Sequence, residues 1–215
     1  TVDDLPAIRD RVRELGAVLW SVFFLVPVGR GQVLDPIGPK RAEAVMEWLH
    51  GVSSTASFGV KTTEAPFYRR IGLQASATEG SDGDKSPNGG GERAANRRGG
   101  ITAGRGFAFV SHTGEVYPSG FLPRSAGSVQ DRSVVEIYRN AELFRSLRDT
   151  ERLKGKCGAC EFRQVCGGSR SRAFAVTGDP LESDPLCPHV PDGYDGSVPT
   201  AVSAEADGMD AVDFP

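Results

Sequence analysis

The position of its cysteines constrains this chain more than any other sequence feature. All four cysteines of the 215 residues lie between positions 157 and 187, as Cys157, Cys160, Cys166 and Cys187 in the spacing Cys-x2-Cys-x5-Cys-x20-Cys. Three thiols on one short loop can surround one side of a metal centre, and a fourth from a distant segment can close it. Disulfide scaffolds are typical of short secreted chains that are cross-linked throughout. The clustering therefore predicts a metal site in a cytoplasmic protein.

The spacing alone leaves two kinds of metal centre open. Four thiolates suit tetrahedral zinc, and structural zinc sites often begin with Cys-x2-Cys. An iron–sulfur cluster is the other candidate, because glycines beside the cysteines allow backbone N–H groups to reach sulfur and tune its reduction potential. Cations near the ligands would stabilise thiolates, although each one singly is typical of an exposed surface. These cations are Arg152, Lys154, Lys156, Arg163, Arg170 and Arg172.

Composition excludes two classes of partner. The chain is 39% hydrophobic and 25% charged, which is ordinary for a soluble protein with a buried core. Its formal net charge of −3 does not favour nucleic acid, whose binding proteins usually carry a basic patch. No segment contains the roughly 18–20 continuous apolar residues of a membrane span. We therefore expect neither nucleic acid nor membrane as a partner.

The first 73 residues have the order of an α/β fold. A helix that Asp3 or Asp4 can cap is followed by the apolar run 18–26, which is typical of a strand covered on both faces. A second helix over about 39–50 and a strand over 58–63 come next. Helix, strand, helix and strand in this order predict parallel strands.

The remaining chain divides into three parts. Residues 74–100 are polar and glycine-rich, and we expect a disordered linker or insertion because they cannot offset their own ordering entropy. Residues 101–191 contain a hairpin pattern over 107–117, a helix over about 133–148 and the cysteines, which together predict a second small domain. Residues 192–215 are acidic and predict a disordered tail.

Several segments in order resemble the SPASM domain of radical S-adenosylmethionine enzymes, in the branch that modifies haem and matures peptides. The segments are Thr113-Gly-Glu-Val-Tyr-Pro-Ser-Gly-Phe-Leu-Pro123, Leu153-Lys-Gly-Lys-Cys-Gly-Ala-Cys-Glu-Phe-Arg163, Cys166-Gly-Gly-Ser-Arg170, Thr177-Gly-Asp-Pro180 and Asp184-Pro-Leu-Cys187. Upstream, residues 26–31 and 61–66 resemble the last strands and loops of the family's barrel. The resemblance implies the C-terminal part of a partial (β/α)6 radical SAM barrel, followed by a small α+β iron–sulfur domain.

The resemblance also implies how many clusters the chain holds. A full SPASM domain carries two auxiliary [4Fe-4S] clusters, and the four cysteines match the ligands of the second. At the positions of the first, this chain has Ser119 and either Ser169 or Arg170. Because the losses fall on one ligand set and spare the other, one auxiliary [4Fe-4S] cluster is expected, and iron–sulfur is favoured over zinc.

The family's catalytic loop, Cys-x3-Cys-x2-Cys, does not occur in this sequence. This chain alone therefore cannot cleave S-adenosylmethionine, which would be a cofactor only together with an N-terminal half. We expect either the C-terminal portion of a longer oxidoreductase or a degenerate relative.

The resemblance implies electron relay or substrate positioning by the cluster during radical modification of a peptide or tetrapyrrole, with an electron-donor protein as a further partner. Two alternatives stay open. One is a stand-alone iron–sulfur module for binding or electron transfer, without radical chemistry. The other is a structural zinc module with four cysteine ligands.

Other residues are weaker candidates. Arg30 lies in the loop after the first strand, where parallel barrels place their active sites, and is a candidate for holding a carboxylate of S-adenosylmethionine or substrate. A simple turn with a surface arginine is the alternative. Residues 62–64 lie at the end of the next strand and could line the same expected active-site cavity of the barrel. His112 and His189 are expected to be exposed rather than metal ligands.

Overall fold

The computed structural model describes residues 2–78 and 101–198. Most of the predicted linker and of the predicted tail, residues 79–100 and 199–215, lie outside the described residues. The helices are α1 (Leu5–Glu14), α2 (Pro39–Thr55), α3 (Tyr68–Thr78), α4 (Val134–Asn140), α5 (Glu142–Arg148), α6 (Gly155–Ala159) and α7 (Arg170–Thr177). The strands are β1 (Leu19–Phe23), β2 (Gly59–Thr63), β3 (Phe109–Val110), β4 (Glu115–Tyr117) and β5 (Gly127–Ser128), and short 3-10 helices cover Gly29–Val33 and Thr150–Arg152.

The first half is an α/β unit with parallel strands, as its element order predicts. β1 pairs with β2 in register from Leu19 opposite Gly59 to Phe23 opposite Thr63. Helix α2 packs on one face of this pair through apolar residues at helical spacing. The buried ones are Ala42, Val45, Met46, Leu49 and Val52, which join a core that includes Trp20, Phe58 and Phe67.

The prediction that β1 is covered on both faces is wrong for the described residues. Leu19 and Phe23 are 54% and 66% exposed, whereas Trp20, on the opposite face, is buried. The strand is also shorter than the apolar run 18–26, because beyond Phe24 the chain leaves the ladder towards the 3-10 helix. Asp4 precedes α1 without a side-chain capping hydrogen bond, and Asp3 pairs with Arg41 instead.

The second half contains a three-stranded antiparallel sheet and short helices. β3 and β4 form the predicted hairpin, and β5 adds to β4. The predicted helix over 133–148 begins as expected, with Ser133 accepting a hydrogen bond from the Glu136 N–H group at 3.2 Å. It divides into α4 and α5, because Ala141 adopts an extended conformation. Val116, Ile137 and Phe144 form the small core beneath the sheet.

Two features connect the halves near the cysteines. Leu186 belongs to the core of the α/β unit, and Cys166 and Cys187 pack against that core. Helix α3 extends to Thr78, so the predicted start of the linker at 74 is wrong and five linker residues are helical. Its Arg70 reaches the cysteine region. None of the described helices is both long and apolar enough to span a membrane.

Candidate metal centre

The four cysteines surround one cavity, here called the cysteine cavity. Cys157 lies in α6, Cys160 ends that helix, Cys166 lies in the next loop, and Cys187 lies beyond α7. All four are free thiols and line a space of about 360 Å³ that includes its open mouth. Among the other lining residues are Arg70, Lys156, Phe162, Gly168 and His189. The structure thus brings the four predicted ligands together without a disulfide.

Backbone N–H groups already point at three of the four sulfurs. Cys157 Sγ accepts from Asp184 at 3.3 Å, Cys160 Sγ from Phe162 at 3.4 Å, and Cys166 Sγ from Gly168 at 3.4 Å. Gly168 has φ +67°, and a Cβ atom there would lie 3.1 Å from Cys157 Sγ and 2.8 Å from Asp184 Cβ. Glycine is therefore required at this position for the loop to close against the ligands.

The separation of the sulfurs distinguishes the two candidate metals. Four thiolates on one zinc ion, each at about 2.3 Å, would lie about 3.8 Å from one another. No three of the four cysteine sulfurs lie within 4.8 Å of one another. An iron–sulfur cluster binds each thiolate to a different iron and so spreads them further apart. The donor set and its spacing fit a cluster better than a single zinc ion.

Burial disfavours the thiolate form of three of the four thiols. Burial raises the pKa of Cys160 to about 11 and the pKa of Cys187 to about 12, although Arg70 beside Cys187 acts in the opposite direction. Burial also raises the pKa of Cys166 well above its usual range. Binding a metal would therefore displace protons from these groups.

The six cations expected near the ligands divide into two sets. Arg152, Lys154 and Arg163 pair with carboxylates at the surface. Lys156, Arg170 and Arg172 are buried, so the surface interpretation is wrong for them. A fourth buried cation, Arg70, comes from α3 and pairs with Glu43 at 2.7 Å. Nothing in the sequence near Arg70 indicated this role, because the contact depends on how α3 packs.

A second polar cluster, here called the Glu64 network, lies where β2 ends. The Glu64 carboxylate accepts hydrogen bonds from Ser119 at 3.5 Å, Ser169 at 2.6 Å and Ser171 at 3.3 Å. Glu64 is also the one described non-glycine residue with positive φ, at 58°. Ser119 and Ser169, two of the positions compared above with ligands of a first cluster, therefore meet at one carboxylate, whereas Arg170 contacts Cys157.

Arg172 and Asp184 complete the Glu64 network. Arg172 donates to the backbone carbonyls of Leu25 at 3.1 Å and Glu64 at 2.8 Å. It also pairs with Asp184 at 3.3 Å, where the two side chains are 1% and 0% exposed. Asp184 in turn accepts from the Ser169 N–H group at 2.7 Å. The carboxyl ends of β1 and β2 are thereby connected to the segment that carries Cys187.

The weaker candidates have mixed outcomes. Arg30 is exposed on the 3-10 helix after β1, and its role stays a prediction. Thr62 donates to the Ala65 carbonyl, and Thr63 bonds Ser21, so their hydroxyls have local partners. His112 is exposed, as predicted.

The expectation that His189 is exposed is wrong, because the residue is half-buried; that it is not a metal ligand stays a prediction. Its ring lines the cysteine cavity, because it packs edge-on against Phe162 at 5.7 Å and bonds Glu161 at 3.0 Å.

Comparison with known proteins gives a consistent set of relatives, although no family model matches the chain. The AdoMet-dependent heme synthase of Methanosarcina barkeri is 42% identical over 190 residues, which are 88% of this chain and 53% of that protein. The pre-heme d1 synthase of Dinoroseobacter shibae is 39% identical over 93 residues, 41% of this chain and 23% of that protein. The PqqA peptide cyclase of Bradyrhizobium diazoefficiens is 39% identical over 90 residues, 39% of this chain and 24% of that protein.

The matches differ in extent. This chain spans about half the length of the heme synthase that it matches over most of its own residues. The matches to the pre-heme d1 synthase and the peptide cyclase cover about two fifths of the chain.

Proposed function

Because this chain belongs to the radical SAM/SPASM family, in the branch with haem- and peptide-modifying members, we propose that its four cysteines bind one auxiliary [4Fe-4S] cluster. The observation that carries this proposal is that four free thiols line one cavity with no three sulfurs within 4.8 Å of one another. Cys157, Cys160, Cys166 and Cys187 would each bind one iron. When bound, such a cluster supplies one-electron chemistry.

The fold proposal is that residues 1–73 form the end of a partial (β/α)6 barrel and residues 101–191 form a SPASM-like domain. The parallel pairing of β1 with β2 supports the first part. Leu19 and Phe23 leave one apolar face of this strand pair exposed. This supports the first part as well, since parallel sheets normally have both faces covered. Further strands and helices of a barrel would cover this exposed apolar face.

The substrate that fits these relatives best is a tetrapyrrole. The heme synthase matches 88% of the chain, whereas the peptide cyclase matches 39%. Radical modification would require S-adenosylmethionine and the catalytic Cys-x3-Cys-x2-Cys loop in a further N-terminal half. Arg30, exposed after β1, would hold a carboxylate of substrate or of S-adenosylmethionine.

This chain's own residues favour electron relay over direct binding of substrate to the cluster. Four cysteine ligands leave no iron with an open position. The N–H groups of Phe162, Gly168 and Asp184 hold three of the sulfurs in place. We place this activity in the cytoplasm, where thiols stay reduced, with an electron-donor protein as partner.

Anaerobic reconstitution with iron and sulfide tests the proposal. The readouts are iron, sulfide and zinc per chain and the EPR spectrum of the reduced form. We expect about four irons per chain, most of which Cys157→Ser should lose. The matched control is Ser119→Ala, which alters the Glu64 network outside the cysteine cavity and should retain the iron.

Each of the other outcomes would favour a different function for this chain. One tightly bound zinc ion without iron uptake would overturn the proposal in favour of a structural zinc module. A loss of iron in Ser119→Ala would contradict the single-cluster assignment. The third outcome concerns protein that includes the catalytic half. If Cys157→Ser removes a stable cluster there without any effect on radical chemistry, a stand-alone electron-transfer module is favoured.

A further inference from the structure

Two buried cations beside the cysteine cavity have no carboxylate partner in the described part of the chain. Lys156 is 2% exposed and Arg170 is 4% exposed. Lys156 donates its Nζ hydrogen bond to the Cys187 carbonyl. Arg170 donates to the carbonyls of Pro180 at 3.0 Å and Glu182 at 2.7 Å. Carbonyl oxygens satisfy the hydrogen bonds of these groups but do not neutralise their charge.

Other fully buried cations near the cavity have a carboxylate partner, whereas the half-buried Arg69 also donates to carbonyls, those of Val165 and Ile101. Arg70 pairs with Glu43, Arg163 with Glu151, and Arg172 with Asp184. Asp184 is the buried carboxylate nearest the ligands in sequence, and Arg172 already matches its charge. Burying an unpaired charge is strongly unfavourable. Lys156 and Arg170 therefore hold two positive charges beside the thiols without an ion-pair partner among the described residues.

Both cations lie against proposed cluster ligands. Arg170 Nη2 lies 3.6 Å from Cys157 Sγ, on one side of the cavity. Lys156 lines the cavity itself and interacts electrostatically with the Cys187 thiol. Gly168 closes the space beside Arg170, since a Cβ atom at this position would lie 2.6 Å from Arg170 Nη2. The guanidinium is thus held in one position against the sulfur.

We propose that Lys156 and Arg170 are the built-in counter-charges of the cluster and set its reduction potential. The inference rests on the proposed binding of a [4Fe-4S] cluster. With four thiolates, the oxidised cluster carries about two negative charges, which the two cations balance. Reduction adds one electron from the donor and one more negative charge to the cluster. Nearby cations favour this reduced form and so raise the potential.

The test compares the neutral variants Lys156→Met and Arg170→Gln with the wild-type chain after anaerobic reconstitution. EPR spin counts at a fixed applied potential report the ratio of reduced to oxidised cluster. We expect this ratio to fall about tenfold in each variant, which corresponds to a shift of about 59 mV for one electron. Arg170→Lys, which keeps the charge, should restore most of the ratio.

A second readout separates charge balance from a merely structural role. In the metal-free chain, Lys156→Met should raise the unfolding temperature, because an unpaired buried charge is removed. In the reconstituted chain, the same substitution should lower it, because the cluster loses a counter-charge. A structural side chain would lower the unfolding temperature in both forms. The matched control is Lys154→Met, whose exposed ammonium pairs with Asp179 and should shift neither readout.

The outcomes distinguish this inference from the proposal beneath it. A wild-type chain without iron overturns the cluster itself. Full iron content in both neutral variants with an unchanged ratio overturns the counter-charge role alone. If the neutral variants do not take up a cluster, the unfolding temperatures of the metal-free chains test the inference. Values below that of the metal-free wild type in both variants would contradict it.

Discussion

The cysteine cavity and the Glu64 network lie side by side, and both are polar sites in the interior, yet their polar groups are paired differently. In the Glu64 network, three hydroxyl groups bond the carboxylate of Glu64, and Arg172 matches Asp184. In the cysteine cavity, Lys156 and Arg170 have no matching carboxylate among the described residues, and the buried thiols are held protonated. Buried polar groups are normally satisfied, so the difference indicates where an additional group belongs.

Asp184 takes part in both regions and shows how closely they are related. Its carboxylate belongs to the Glu64 network, whereas its backbone N–H group bonds Cys157 Sγ at 3.3 Å. A serine hydroxyl is a poor iron ligand beside a thiolate. Ser119 and Ser169 instead donate to Glu64, so their hydroxyl groups have a hydrogen-bond partner within the protein. We therefore expect substitutions in the Glu64 network to affect the stability of the metal-free chain, and substitutions in the cysteine cavity to affect cluster binding.

The largest effect should come from breaking the ion pair of the Glu64 network. Arg172→Met leaves the carboxylate of Asp184 buried without a cation, which should lower the free energy of unfolding by about 3–5 kcal/mol. Urea denaturation of the metal-free chain measures this loss. The control is Arg152→Met, whose partner Glu142 is exposed, and it should lower the free energy of unfolding far less because water screens the pair. Equal losses of stability in the two variants would contradict a special contribution of the buried ion pair between Arg172 and Asp184.

A smaller but more selective effect is expected at the rim of the cysteine cavity. Gly168→Ala and Gly178→Ala both place a side chain at positive φ, at +67° and +78°, which costs about 1–2 kcal/mol. Gly178 has open space around it, whereas the new methyl group at 168 would collide with Asp184 and crowd Cys157 Sγ. Iron content after reconstitution should fall only in Gly168→Ala. Similar iron content in both variants would contradict the close approach of this loop to the ligands.

The smallest effect at neutral pH concerns the thiols. Burial raises the pKa of Cys160 to about 11 and of Cys187 to about 12, so the folded metal-free chain retains protons that the unfolded chain releases at lower pH. The free energy of unfolding should therefore be unaffected below about pH 8.5 and should fall as the pH rises from there towards 12. Urea denaturation between pH 7 and 10.5 measures it.

The control for this pH dependence is Cys187→Ser, which removes one thiol and should give a shallower decline. The same slope in the variant and the wild type would show that Cys187 does not contribute. Ser119→Ala should keep the wild-type slope, because Ser119 lies outside the cysteine cavity.

Local sequence patterns predicted six of the elements or element pairs of the fold but not all of their limits, and they did not predict α3, β5, α6 or α7. The hairpin around residues 111–114 and the parallel order of the first half follow from local composition and periodicity. The break at Ala141 does not, since helical periodicity continues across it. Helix α3 was not predicted, and its last residues, which resemble the polar segment that follows, were assigned to the linker.

The sequence by itself determined which residues could bind a metal, since four cysteines in one short region leave few other roles. It did not determine which cations would be buried, because six basic residues near the ligands look alike until packing separates Lys156 and Arg170 from the exposed ones. Contacts between segments distant in sequence, such as Arg70 with Glu43 near the cavity or Ser169 with Glu64 over a separation of 105 residues, are decided only in the tertiary structure. The physical reason is that burial, and with it the cost of an unmatched charge, is a property of the assembled core.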